Sequence, residues 1–205
     1  MPTLYFAPMS SASPIVWAMA ELGIEHEAVE LDLRHDDRHR GAEFRALNPM
    51  GQVPVLVDDG QPMFESSAII VYLGERYGVE RGLWPEVGSR EHMVALTWTM
   101  WTGVTLQRTV AQILATSSAF APAELQHPGH EAAARVRFDE LLDVVGAQLE
   151  GKDHLVGPAF TLADAYAAAT LGWATRTLAV DPGTTPNLGS WLKRCLGREA
   201  AGTMV

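Results

Sequence analysis

The chain has 205 residues, of which 47% are hydrophobic and 20% charged, a balance typical of soluble globular proteins. Its net charge of −10 argues against nucleic acid as the main partner, because phosphate binding needs a basic surface. The single cysteine, Cys195, excludes an intramolecular disulfide, so we expect a reducing compartment and a cytoplasmic location. No signal segment and no apolar run near the roughly 18 residues that cross a bilayer are found, so no membrane is expected.

The first 31 residues predict a strand, a helix and a second strand. An apolar run from Thr3 to Ala7 indicates a buried strand, which Pro8 ends. Serine residues before Pro14 suit the start of a helix, with hydroxyls available to cap its free N–H groups. The alternating segment 25–31 suits a strand parallel to the first, joined by a right-handed crossover.

A mixed-charge run over residues 34–40 predicts a loop that leads to a short helix. Such a loop beside a binding groove could supply a cation to a ligand carboxylate. His35, Arg38 and Arg40 are the candidates, and the sequence does not decide among them.

The segment Asn48–Leu56 predicts a turn that leads into a strand with a proline near its start. If the Val53–Pro54 bond is cis, Val53 is turned away from its own sheet. Its N–H and C=O are then free to pair with an extended, peptide-like ligand.

A hairpin and a helix follow this turn. The strands 53–57 and 62–64 are joined by a turn at 58–61, and Glu65 and Ser66 open an amphipathic helix that ends near Gly78. The free N–H groups at such a helix start favour a ligand carboxylate. The element order βαβαββα is the thioredoxin-like arrangement. Without a C-x-x-C pair, dithiol exchange by the protein alone is excluded.

Strand signals stop after residue 78, and the rest of the chain is predicted to be helical. Ser89 can cap a long helix, and Thr161 with Asp164 forms a capping box before a helix of small residues that we place centrally. His127 and His130 are expected to be exposed to solvent. Cys195 is expected to pack on a helix, and no metal site is predicted.

Three separated motifs carry a family resemblance. They are N-P-x-G-x-V-P-V-L at 48–56, E-S-x-A-I-x-x-Y-L at 65–73 and T-L-A-D-A-Y at 161–166. Together they resemble the soluble glutathione S-transferases, nearest to the bacterial beta class but with serine in place of its cysteine. The resemblance implies an α/β plus all-α fold. A thioredoxin-like glutathione-binding domain would cover residues 1–77, a linker 78–88 and an all-helical domain 89–205.

The same resemblance implies which residues bind glutathione, the co-substrate. Val53, before Pro54, is expected to pair through its backbone with the cysteinyl unit. Glu65 and Ser66 are expected to contact the γ-glutamyl end, and Gln52 a carboxylate or backbone group of glutathione.

One serine is expected to activate the glutathione thiol. Ser11 falls on the cysteine of the beta class, and Ser10 is an equal match for classes that use serine, so both remain candidates. Lowering a thiol pKa by about 2 units needs about 2.7 kcal/mol of preference for the anion. A single charge-assisted hydrogen bond supplies roughly 1.5–3 kcal/mol. Tyr5 is expected to lie on the other face of its strand, in the core.

The second substrate, a small hydrophobic electrophile, is expected between the two domains. Trp98, Trp101, Thr105 and Arg108 share parts of one helix face and are the predicted lining residues. The resemblance also implies a homodimer with an interface near Glu65 and the long helix. Two other interpretations stay open: a glutathione-dependent isomerase of the zeta (maleylacetoacetate isomerase) type, and a non-catalytic glutathione-binding module. The sequence does not identify the electrophile.

Overall fold

A four-stranded mixed sheet organises the amino-terminal half of the chain. Its strand order is β2-β1-β3-β4, with β1 parallel to β2 and β3 antiparallel to both β1 and β4. The strands are β1 (Thr3–Phe6), β2 (Glu27–Glu30), β3 (Val55–Asp58) and β4 (Gln61–Phe64). Pro54 lies just before β3, so its missing N–H removes no bond from the ladder with β1, which begins at Val55.

The computed structural model of the chain describes residues 1–33, 35 and 37–204. Residues 34 and 36 of the mixed-charge run therefore lie outside the described part. The helices of the first half are α1 (Ser13–Leu22), α2 (Ala42–Leu47) and α3 (Ser66–Leu73), which continues in a π-helical turn (Gly74–Gly78). With the strands, they give the predicted order βαβαββα.

The sheet is covered on both faces. On one face, Leu4 and Leu56 pack with Ile15 of α1 and Ile70 of α3, all of them fully buried. On the other, α2 contributes Phe44, whose ring meets that of Tyr5 edge-on with centroids 5.6 Å apart. Tyr5 thus packs beneath α2, as expected.

The second half is helical. A long helical segment comprises α4 (Arg90–Trp101), a π-helical turn (Thr102–Leu106) and α5 (Gln107–Thr116). It is followed by α6 (Pro128–Gln148), α7 (Leu162–Leu178), α8 (Leu188–Leu196) and a terminal 3₁₀ turn (Glu199–Thr203). Ser89 accepts a hydrogen bond from the His92 N–H and so caps α4 as predicted.

Helix α7 is buried almost along its whole length, because its small residues let the neighbouring helices approach closely. The predicted capping box is present at its start. The buried Asp164 carboxylate accepts from the N–H and the hydroxyl of Thr161, at 3.0 and 2.9 Å. It also accepts from the N–H of Leu155 and the indole of Trp191, at 2.8 and 3.0 Å. One carboxylate therefore fixes the loop before α7 and helix α8 to the start of α7.

The two halves share their cores. Trp17 of α1 packs in the hydrophobic cluster of the helical half, and Tyr166 of α7 packs in the cluster under the sheet. Between the halves, the Trp84 side chain packs directly on Gly74 and Gly78. A Cβ on Gly74 would lie 2.3 Å from the Trp84 side chain, and a Cβ on Gly78 would lie 2.9 Å from it. The division at 1–77, 78–88 and 89–205 stays a prediction. Within the described residues, no helix is both long and apolar enough to span a bilayer.

The β3–β4 hairpin is fixed to α3 by Asp58. Its carboxylate is 8% exposed and accepts hydrogen bonds from Tyr72, at 2.8 Å, and from Tyr77. Burial opposes ionisation of Asp58, but the bonds from Tyr77 and Tyr72 outweigh it and hold its pKa below the usual value. Burial and the bond to Asp58 raise the pKa of Tyr72 to about 12, so the phenol stays a donor.

We predict that Asp58→Asn lowers the free energy of unfolding by about 1–3 kcal/mol at neutral pH, because two phenols lose a charged acceptor. Because the folded pKa of Asp58 lies below its unfolded value, this stabilisation is present above the unfolded pKa. It is lost as pH falls through the folded pKa, so the difference from wild type should shrink below about pH 4. Urea unfolding of wild type and Asp58→Asn at neutral and acidic pH measures this difference in the free energy of unfolding.

The matched control is Asp59→Asn, since the Asp59 side chain is 83% exposed and its nearest cation, Arg76, is 3.9 Å away. That change should alter stability by no more than about 0.5 kcal/mol. Equal unfolding midpoints for wild type and Asp58→Asn at neutral pH would contradict the assignment.

Candidate functional site

Ser11 lies where three cavities meet. The cis-proline cavity, of about 390 Å³, is lined by Ser11 and by all five predicted glutathione-binding residues, Gln52, Val53, Pro54, Glu65 and Ser66. The glycine-turn cavity, of about 500 Å³, lies beside the turn at Gly51. The interdomain cavity, of about 530 Å³, lies between α1, α5, α7 and the carboxy-terminal segment. Ser11 contributes to the walls of all three, and Ser10 to the last two.

The turn before β3 presents the main chain of Val53 to the cis-proline cavity. The Val53–Pro54 bond is cis, the condition under which the sequence predicted a free Val53 backbone. The Val53 N–H has no hydrogen-bond partner within the described part of the chain, and its C=O accepts a 3.2 Å bond from the Ser11 hydroxyl. Asn48, which is buried, holds the turn: its amide donates to the Gln52 C=O at 2.7 Å and accepts from the Met50 N–H.

The start of α3 forms the opposite wall of this cavity. Glu65 is at the N-cap position with a φ of 72°, a strained conformation for a residue other than glycine, and its side chain is exposed. No side chain caps the helix, so the first N–H groups of α3 lack a capping acceptor. The Ser66 hydroxyl donates to the Ser11 C=O at 3.0 Å. The helix start is therefore suited to an anion and is tied to the serine turn.

The two serines have different environments. The Ser10 hydroxyl donates to the Ala7 C=O at 2.6 Å and accepts from the Ala12 N–H at 3.1 Å, so it closes its own turn. Ser11 is exposed, and its hydroxyl makes the long bond to Val53. Ala12 occupies the N-cap of α1 and offers no side-chain cap, and among the serines before Pro14 the Ser10 hydroxyl accepts from the Ala12 N–H just before the helix.

Cations line the glycine-turn cavity. Of the three predicted candidates only Arg40 is on its wall; His35 pairs with Asp32 at 3.0 Å, and Arg38 donates to the Glu30 C=O. His39 and Arg45 line the cavity too, and sequence reasoning missed both.

Gly51, in the first motif, is the sequence feature that could have indicated these residues. Gly51 has a φ of 65°, and a Cβ there would come within 2.7 Å of the His39 carbonyl oxygen. The turn therefore packs against the segment 37–40, from which His39 and Arg40 line the cavity.

The interdomain cavity has walls that differ from those predicted. Trp101, Thr105 and Arg108 line none of the three cavities; Gln107, Val110, Ala111 and Leu114 of α5 line this one instead. Trp98 is buried, with its ring centroid 5.1 Å from that of Trp101, so both belong to the helical core. The prediction therefore took the wrong face of the long helical segment: Trp98 and Trp101 face the helical core, and Gln107, Val110 and Leu114 face the cavity.

A close contact joins the start of α3 to the helical half. The Ser67 hydroxyl lies 3.4 Å from the Thr99 C=O and 3.2 Å from the Tyr166 hydroxyl. A Cβ on Gly103 would be 2.0 Å from the Ser67 Oγ, so only glycine fits there. Burial, chiefly, raises the pKa of Tyr166 to about 12. Its phenol therefore stays protonated and can donate.

A separate group of possible metal ligands, His154, Asp164 and Cys195, lies inside the helical half. The Asp164 oxygens already accept four hydrogen bonds, which leaves no free acceptor position for a metal. Burial, with the nearby Asp164, raises the pKa of the Cys195 thiol far above its usual range. Cys195 is thus a buried packing residue, as expected, and not a nucleophile.

The chain thus combines a thioredoxin-like sheet and a cis-proline turn with a helical domain, and each of these two parts matches a family model. Residues 9–76 match the model for the glutathione S-transferase N-terminal domain, and residues 112–199 the model for the C-terminal domain. The chain belongs to the glutathione S-transferase family. The predicted family and fold class are therefore confirmed.

Individual relatives cover nearly the whole chain. Glutathione S-transferase 3 of Zea mays is 31% identical over 96% of this chain and 90% of its own length. The disulfide-bond oxidoreductase YfcG of Escherichia coli K12 is 28% identical, with coverage of 97% and 92%. The structure of a sphingomonad glutathione S-transferase complexed with glutathione is 29% identical and superposes with a TM-score of 0.84, over 98% and 96% of the two chains.

We predict that Gly103→Ala lowers the free energy of unfolding by about 1–3 kcal/mol, because the new methyl group displaces Ser67. It should also weaken glutathione binding, since Ser67 lies in the first turn of α3. Gly157→Ala is the control: a Cβ at this position would meet no described heavy atom within 4 Å, so stability and binding should hardly change. Denaturation and calorimetric titration measure both quantities, and equal values for the two variants would contradict the close contact.

Proposed function

We propose that the protein is a glutathione transferase that binds glutathione across the cis-proline and glycine-turn cavities, with its sulfur at Ser11. The observation that carries the proposal is the position of Ser11 on the walls of both these cavities and of the interdomain cavity. A thiol held at Ser11 faces the interdomain cavity. The walls of this cavity come from both halves of the chain and are mostly apolar.

The glutathione backbone would dock as an added strand. Among the described residues the Val53 N–H has no partner, and its C=O holds only a long bond to Ser11, so both can pair with the cysteinyl unit. At the γ-glutamyl end, the Glu65 carboxylate suits the ammonium group. The Ser66 hydroxyl and the first N–H groups of α3 suit the carboxylate, and Gln52 is on the wall of the same cavity.

The glycyl carboxylate would lie in the glycine-turn cavity. Arg40 and Arg45 are on its wall, with His39 beside them. Arginine binds carboxylates through two parallel N–H groups, so a cation here complements the far end of the tripeptide. With this arrangement, each charged group of glutathione meets an opposite charge or a helix N-terminus.

Ser11 is the better candidate for thiol activation. When the cysteinyl N–H takes the Val53 C=O as its acceptor, the Ser11 hydroxyl is released to donate to sulfur. Ser10 would have to give up a 2.6 Å bond that closes its turn. The thiolate then attacks an electrophilic carbon in the interdomain cavity: a C–S bond forms, the leaving group departs with the bonding pair, and the thiol proton goes to solvent.

A second candidate function is disulfide exchange, which the similarity to the Escherichia coli oxidoreductase suggests. The buried Cys195, with its raised pKa, cannot take part. Any exchange would therefore have to use glutathione sulfurs alone, one in the cis-proline cavity and one from a disulfide in the interdomain cavity.

Two further assignments belong to this proposal. We place the enzyme in the cytoplasm, because its single cysteine is buried and unpaired. Its role there would be detoxification of small hydrophobic electrophiles, without a metal.

A homodimer is also proposed, formed through α4. Met93, Met100 and Val104 are 67%, 40% and 66% exposed and follow helical spacing along one face. This face reaches the rim of the cis-proline cavity near Glu65, where Met100 and Val104 contribute to the wall. A second copy of the chain would bury this stripe.

We predict that Ser11→Ala raises the pKa of enzyme-bound glutathione towards the free-thiol value of about 8.5. It should lower kcat/KM for 1-chloro-2,4-dinitrobenzene by about tenfold or more, because one charge-assisted bond to the thiolate is lost. Ser10→Ala, the matched control, should lower stability and leave the thiol pKa nearly unchanged. Thiolate absorbance against pH is the measurement.

A shift in the thiol pKa with Ser10→Ala alone would transfer the role to Ser10, and no shift with either variant would remove both serines. Binding of glutathione without turnover of this electrophile or of glutathione disulfide would favour the non-catalytic module. Failure to bind glutathione would overturn the proposed function.

For the dimer, we predict that light scattering gives twice the mass of one chain for the wild type, and that Met93→Glu shifts the equilibrium towards monomer. A charge placed in an apolar interface loses its hydration without gaining a partner. Val136→Glu, at a residue 62% exposed on α6, is the control and should leave the mass unchanged. A monomeric wild type at working concentration would refute the interface.

A further inference from the structure

The interdomain cavity has mainly apolar walls between the serine turn and Arg176. Its walls include Pro14 of α1, Val110 and Leu114 of α5, Trp173 of α7 and Leu196 of α8. Within the described residues that line it, Arg176 is the single charged side chain, and no acidic side chain is present. A cavity of this kind combines a large apolar contact with one strong donor group.

Arg176 belongs to the cavity-facing stripe of α7. Ala169, Trp173 and Arg176 follow each other along the helix at spacings of four and three residues, and all line the cavity. The Arg176 Nη1 lies 3.5 Å from where a Cβ on Gly172 would be, so the guanidinium extends back along α7 over the glycine. The glycine itself is required by Leu196, whose Cδ1 would lie 2.8 Å from such a Cβ.

The guanidinium has no partner within the described part of the chain. Arg176 forms neither an ion pair nor a side-chain hydrogen bond there. By contrast, Arg194 pairs with Asp153, and Arg198 of the same carboxy-terminal region pairs with Glu21 at 2.7 Å. Five donor N–H groups are therefore available at the cavity wall.

Arg176 lies further along α7 than the residues at the glutathione end of the cavity. Gln107 lines both this cavity and the cis-proline cavity, and its amide reaches the Thr170 hydroxyl at 3.4 Å. Thr170 therefore marks the glutathione end of α7. The backbone of Arg176 is six residues further on, about 9 Å at the helical rise, and its guanidinium extends back towards Gly172. The anion site therefore lies less than about 9 Å along α7 from Thr170, a span that fits an aromatic ring with substituents at opposite positions.

We propose that the preferred electrophile is an apolar, ring-sized molecule that carries a carboxylate or a similar planar anion opposite its reacting carbon, and that Arg176 binds this anion. The inference rests on the proposed function and specifies its substrate class. The net charge of −10 disfavours anions in general, but salt screens distant charges beyond about 8–10 Å. The charge next to the ligand, the Arg176 guanidinium, therefore determines whether an anion binds here. Its planar arrangement of N–H groups matches the two oxygens of a carboxylate.

The test compares two chloronitrobenzenes that react by the same chemistry. These are neutral 1-chloro-2,4-dinitrobenzene and 4-chloro-3,5-dinitrobenzoate, whose carboxylate lies opposite the chlorine. In both, the C–S bond forms, the C–Cl bond breaks, chloride leaves with the bonding pair and the thiol proton goes to solvent. The measured quantity is the ratio of kcat/KM for the benzoate to kcat/KM for the neutral compound, with the uncatalysed rate subtracted.

Arg176→Gln should lower this ratio about tenfold, the effect of losing one partly exposed charge-assisted contact, mainly through a higher KM for the benzoate. Arg176→Lys should lower it about threefold, because it keeps the charge and loses the fork. Arg108→Gln removes an exposed arginine from α5 that lines none of the three cavities, and should change the ratio less than twofold.

Binding of the two glutathione conjugates, measured by calorimetry, gives a readout that does not need turnover. The carboxylated conjugate should bind more tightly to wild type than to Arg176→Gln, and high salt should reduce the difference. If the neutral compound is turned over and neither the kinetic ratio nor the conjugate affinities respond to Arg176→Gln, the inference falls and the proposed function stands. If glutathione and both conjugates fail to bind, both are overturned.

Discussion

The site depends on one junction, at which the serine turn before α1 bridges the cis-proline turn and α3. The Ser11 hydroxyl donates to the Val53 C=O, and the Ser11 C=O accepts from the Ser66 hydroxyl. Three segments that are far apart in sequence are thereby fixed within one hydrogen-bonded unit. Each bond contributes about 1 kcal/mol at most, so the junction is held mainly by the elements that carry it.

Those elements are positioned by buried groups at a distance from the cavities. Asp58 fixes the hairpin to the end of α3, Trp84 fills the gap beside its π-helical turn, and the Ser67–Tyr166 contact brings α3 against the helical half. Because both hydrophobic clusters under the site contain residues from both halves, the helical half acts as part of the site's support. The interdomain cavity lies between the two halves that this shared core joins.

Much of the fold and part of the site could be predicted from the sequence, for physical reasons. The element order follows from alternating and helical apolar spacing. Gln52, Val53, Pro54, Glu65 and Ser66 line one cavity, and the family resemblance of the two motifs that contain them had implied this grouping. Tyr5 lies on the expected face because alternation along a strand fixes the face of each residue.

The second wall of the site could not be predicted in the same way. The predicted positions Trp101, Thr105 and Arg108 lie on a different face of the long helical segment from Gln107 and Val110, which line the cavity. His39 and Arg176 were missed because each reaches its cavity through packing between distant segments. Tertiary contacts of this kind leave little trace in residue spacing.

The most direct measurement is a crystal structure of the protein with glutathione. The account predicts that the cysteinyl N–H and C=O pair with the Val53 main chain at about 2.9 Å, and that sulfur lies within hydrogen-bond distance of the Ser11 hydroxyl. The glycyl carboxylate should then face Arg40 or Arg45. Glutathione bound elsewhere, or with its sulfur turned away from Ser11, would contradict the account.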